Sequence, residues 1–144
     1  MIRGRTDGRT DGGSATLEAV IWAPVLLMFV GLIIAAGRVV IAGGSVEAAA
    51  RDAARQASLA RTPSVARTRA LDSADAALRR EGLQCQPVVE VDTSQFGRPP
   101  GTAGSVAVTV TCTVRLSDLV VAGLPGSRTM RASSMSPIDP YRGR

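Results

Sequence analysis

The chain has no lysine and no histidine, two cysteines, and aromatic residues at only 3% of its 144 positions. Without histidine the commonest general base and the commonest neutral metal ligand are missing, and no Ser-His or Cys-His nucleophile pair can be assembled. Two cysteines alone do not complete a structural zinc site. These absences point away from an enzyme and give no reason to expect a metal, a cofactor or a small-molecule substrate. Asp72 and Asp75 are the nearest approach to a carboxylate pair, and they read more economically as a solvated helix face.

The net charge of +5 comes entirely from arginine. A basic balance can signal nucleic acid, but these arginines are scattered among acids. Trp22 and Phe29 fall in an apolar run, which leaves Phe96 and Tyr141 as the only aromatics outside it. A basic surface interleaved with stacking side chains is therefore missing, and no nucleic-acid partner is expected.

Ala19 to Gly37 is uncharged and apolar throughout. A helix from Ala15 to Gly37 extends roughly 34 Å, against a bilayer hydrocarbon core of about 30 Å, so the run predicts one transmembrane helix. A secretory signal peptide, with Ala35-Ala36-Gly37 imitating its cleavage site, is an alternative that the residues leave open. A core helix is a poor one, because the rest of the chain has too little apolar surface to cover a helix that is apolar on every side.

One carboxylate, Glu18, stands where this run begins. An ionised side chain in the apolar part of a bilayer costs about 2.5–3.5 kcal/mol even on a lenient insertion scale, so its position asks for a use in assembly; snorkelling to the headgroups is the plainer alternative. Counting arginines on the two sides of the span gives a tie: Arg3, Arg5 and Arg9 precede it, and Arg38, Arg51 and Arg55 follow. The cysteines decide the orientation. Cys85 and Cys112 both follow the span, and disulfides persist outside the cytoplasm, so the N-terminus is expected in the cytoplasm and the C-terminal domain in the extracytoplasmic space.

Five segments are expected. Residues 1–13 are a disordered leader arm of Gly, Arg, Asp and Thr, residues 14–37 form the span, residues 38–82 form a helical region, residues 83–136 form a small β-rich head and residues 137–144 form a disordered tail. In the helical region Gly43-Gly44 is a possible soft point. The stretch Val46–Ala60 is alanine-rich, with Glu47 and Arg51 at the favourable i, i+4 spacing. Pro63 stops or kinks the helix, and a second helix is expected from Ser64 to Glu81 with Leu71, Ala74 and Leu78 on one stripe and Gly82 as its stop. From Leu83 the period changes to two. Val106, Val108, Val110, Cys112 and Val114 alternate with polar or small residues, and Val89 and Val91 do so more briefly, which predicts an antiparallel pair. Cys85 shares the parity of Val89, so a strand reaching back to position 85 turns both thiols inward and predicts a Cys85–Cys112 bridge. Leu116, Leu119, Val120 and Leu124 fit a helix behind Ser117 or a loop, and Arg128–Met135 is a weaker third strand. The fold class is α+β, with a long N-terminal transmembrane helix, an amphipathic helical extension and a small antiparallel sheet.

Gly13-Ser14 followed by Glu18, Pro24 within the span, Gly37-Arg38 at its end and Ala49-Ala50-Arg51-Asp52-Ala53-Ala54-Arg55 beyond it together resemble the TadE-like family, pseudopilins of the tight-adherence pilus apparatus. The resemblance covers residues 13 to about 57. It implies that a prepilin peptidase cuts between Gly13 and Ser14, that Glu18 becomes the fifth mature residue and guides assembly, and that the partners are the membrane, other pilin or pseudopilin subunits and the pilus assembly platform. Ala19 and Ala36 stand where the family often has aromatic residues, and Ser14 replaces the phenylalanine of major type IV pilins.

Overall fold

The computed structural model describes residues 12–99, 101–119 and 125–140, with side chains from Glu18 onward apart from Leu119. The expected leader arm before Gly12, Val120 and Leu124 of the expected helix or loop, and the last four residues of the expected tail lie outside the described residues. The chain divides between Ala36 and Gly37 into two compact units.

The first unit is described by the opening part of helix α1, Gly12–Ser58. Pro24 lies inside this helix without ending it. Proline has no N–H, so it leaves the Val20 carbonyl without its usual donor, a loss that membrane helices tolerate. From Val20 to Ile34, eleven large apolar side chains each stand more than half exposed. This is the pattern expected of a helix whose solvent is lipid.

The second unit contains the remainder of α1, α2 (Pro63–Arg80), β1 (Val88–Asp92), β2 (Gly104–Arg115), a single helical turn α3 (Leu116–Leu119) and β3 (Ser127–Ile138). The helix runs through Gly43-Gly44 without a break, and Glu47 pairs with Arg51 at 2.8 Å as the spacing predicts. Thr62 caps α2 in extended geometry, its hydroxyl accepting the Val65 N–H at 3.4 Å, and Pro63 opens the helix at a position where its missing N–H costs nothing. Gly82 ends the segment with φ of +75°, a left-handed conformation that brings the Leu83 N–H within 3.0 Å of the Leu78 carbonyl.

The three strands form one antiparallel sheet in the order β1-β2-β3, with β2 in the centre. All five inward residues of β2, Val106 through Val114, are buried. They share one core with an alanine seam: Ala49, Ala50, Ala53, Ala54 and Ala57 on α1, and Ala66, Ala70, Ala74 and Ala77 on α2. Helices presenting methyl groups approach their neighbours closely, which is how so small a unit encloses a core with few large side chains.

Four expectations need correction. Leu71 is not on the buried stripe; it stands at the rim of the arc set by the α2 alanines and is 45% exposed. Cys85 precedes the strand instead of belonging to it, because Pro87 offers no N–H to a ladder and β1 starts at Val88. Ser117 is inside α3, and its hydroxyl bonds the Asp118 carboxylate at 3.2 Å; the turn starts at Leu116, whose N–H bonds the Gly126 carbonyl at 3.0 Å. The third strand is longer than its pattern indicates, passing Pro137 to Ile138, which is buried and pairs with Gly104.

Candidate processing and assembly site

Gly13, Ser14 and Glu18 all lie in the first two turns of α1. Ser14 and Glu18 are four residues apart, so they share one face of the helix about 6 Å apart along its axis. Glu18 is exposed, and among the described residues it has no hydrogen-bond or ion-pair partner in its own chain. It sits one residue before the apolar run, whose side chains surround the helix on all sides. A carboxylate there is left for a headgroup or for another molecule to satisfy.

The second expected site is the bridge. Cys85 and Cys112 are disulfide-bonded, with Cα atoms 5.8 Å apart and a separation of 27 positions in sequence. Cys112 is fully buried on the valine face of β2, whereas Cys85 is half-buried in the connector that follows α2. The crosslink therefore pins a segment without ladder hydrogen bonds onto the central strand. Asp72 is exposed, and Asp75 pairs with Arg79 at 2.8 Å on the surface of α2.

Two features gave little signal in the sequence. Asp92 accepts the Ser94 backbone N–H at 2.9 Å, and that bond, helped by the Ser94 hydroxyl, holds the Asp92 carboxyl below the usual carboxylate range. The Asp-Thr-Ser run is the only trace of this turn. Arg38, Glu81 and Asp118 line one small cleft together with Ile41, Ala42 and Ser45. Charges 37 residues apart along the chain and farther carry no pattern that periodicity could reveal.

One exposed apolar helix long enough to cross a bilayer, joined in sequence to a small disulfide-bridged head, defines a candidate single-span membrane protein. Residues 13–55 match the family model of TadE-like proteins, and this is the segment that carries Gly13, Ser14, Glu18 and the apolar run. The match ends within α1, and the rest of the head lies beyond it. Neither the curated proteins nor the solved structures contain a match to this chain. The family match and the candidate span support a membrane protein associated with the tight-adherence pilus.

Proposed function

We propose that this chain is a TadE-like minor pilin or pseudopilin, membrane-anchored and exported, taking part in assembly of a tight-adherence type IV pilus or a related secretion apparatus. In this reading a prepilin peptidase cuts after Gly13, whose missing side chain suits a subsite with no room for Cβ. The cut creates an α-amine on Ser14 near the cytoplasmic membrane face. That amine neutralises Glu18 of a neighbouring subunit as the helices pack, converting the cost of an unpaired carboxylate into a device for register. The role is structural and not enzymatic. The N-terminus lies in the cytoplasm and the disulfide-bridged head outside, in contact with other subunits and the assembly platform.

The observation that carries this reading is the family match, which begins at Gly13 itself and encloses both Glu18 and the exposed apolar run. The mature N-terminus tests it. A chain starting at Ser14 is the expected result. A start near Gly37 would make the apolar run a signal peptide and the head a secreted binding domain, and an uncut chain would make the helix a simple anchor.

A further inference from the structure

The membrane-exit end of α1 has two different sides. Val39 and Ala42 pack into the core of the head, while Val40 and Ile41, in the same turn, are 74% and 69% exposed. The uncharged run Ala19–Gly37 covers about 28 Å of helix and so fills the hydrocarbon core. Each headgroup layer adds roughly 5–7 Å, which is four or five further helical residues. Arg38 to Ala42 therefore falls at headgroup depth, with Val40 and Ile41 directed to the interface.

Within the Gly37–Arg144 unit the head packs against this same turn. Glu81 and Gly82 at the end of α2, Leu83, and Asp118 of α3 line one cleft with Arg38, Ile41, Ala42 and Ser45, all within the Gly37–Arg144 unit. Arg38, Glu81 and Asp118 form no ion pairs among the described residues, although they share this cleft. From this geometry, and resting on the membrane-anchored reading above, we infer that the Glu81–Leu83 turn and α3 form a lipid-contacting base that lies in the headgroup layer of the outer leaflet. Phospholipid headgroups suit it because they carry both signs of charge. The Arg38 guanidinium meets phosphate, and the Glu81 and Asp118 carboxylates meet the cationic amine. The opposite end of the sheet, where β1 gives way to Ser94, is about 27 Å away along β2 and stays in water.

Both native cysteines are in the disulfide, so a cysteine introduced elsewhere is the one free thiol for labelling. The test labels Glu81→Cys, Asp118→Cys and Ser94→Cys in the full chain with an environment-sensitive fluorophore, in phosphatidylethanolamine-phosphatidylcholine vesicles. Flotation of the vesicles is measured first. Aqueous iodide and a headgroup nitroxide lipid then serve as quenchers. The expected result is flotation, several-fold weaker iodide quenching at positions 81 and 118 than at 94, and strong nitroxide quenching at 81 and 118 alone. Flotation with equal iodide quenching at all three positions would overturn the lipid-contacting base while leaving the anchor intact. Shielding from iodide without nitroxide quenching would also overturn it, assigning this end to a protein contact. A chain that does not float would overturn both readings.

Discussion

Ser136 of β3 donates a hydrogen bond of 3.0 Å to Ser58, the last residue of α1, and Ser58 donates in turn to the Arg55 carbonyl at 2.8 Å. This relay joins the end of the long helix to an edge strand. Ser58→Ala removes the acceptor for Ser136, and an unsatisfied hydroxyl in a partly buried position costs roughly 1–3 kcal/mol. Ser136→Ala leaves Ser58 still bonded to Arg55 and is expected to cost less. Chemical denaturation of the full chain in detergent micelles, read by circular dichroism, orders the two.

The disulfide closes a loop of 27 residues, for which loop entropy gives about 3–4 kcal/mol of stabilisation. Cys85→Ser is expected to lose about that much. Cys112→Ser is expected to lose more, because it also places a hydroxyl on the fully buried valine face of β2. The same denaturation measurement separates them, and a non-reducing peptide map of the wild type is expected to show the two cysteine peptides linked.

Ala53 is fully buried in the seam, and Ala48, one turn away on the other side of α1, is exposed. Ala53→Leu forces three extra carbons into a close-packed contact and is expected to cost about 1–3 kcal/mol or more. Ala48→Leu is expected to stay within about 0.5 kcal/mol of wild type. Equal effects of the two would mean that α1 does not pack through its alanines.

Under the proposed processing, Gly13→Leu is expected to leave an uncleaved precursor in the membrane, since a branched side chain would fill the subsite proposed for glycine. An immunoblot comparing precursor and mature sizes reads this directly. Normal processing would remove the cleavage site from the proposed function.

Glu18→Val is expected to insert and be cleaved normally, because it makes the span more apolar, yet to impair assembly by removing the acid proposed to pair with a neighbouring Ser14 amine. Glu18→Asp, with its charge kept and its reach shortened, falls between. Co-purification with partner subunits is measured beside processing. Wild-type assembly by the valine variant would return Glu18 to snorkelling.

Local rules made much of the fold legible in the sequence. The alternation of Val106 to Val114 carried the central strand, and Pro63 and Gly82 marked the limits of α2; the Cys85–Cys112 bridge was anticipated, but by a strand parity that does not extend to Cys85. The misses have a common origin in tertiary context. Ile138 looks like part of a polar tail until Gly104 supplies its partner across the sheet, and Leu71 looks like core until the neighbouring alanines are seen to define the buried arc. The candidate site was legible as composition and position, since Gly13, Ser14 and Glu18 are read against the start of the apolar run. The cleft joining Arg38 to Glu81 and Asp118 was not, because its members come from three separate segments.

The alanine seam also changes what folding must overcome. A buried leucine or methionine surrenders rotamer freedom worth roughly 0.5–2 kcal/mol, whereas alanine has none to surrender. Nine of the seam's buried side chains are methyl groups on α1 and α2. The head therefore orders its helices at the cost of backbone entropy alone along that contact. A domain reaching the far side of a membrane unfolded would begin its collapse with fewer degrees of freedom to extinguish.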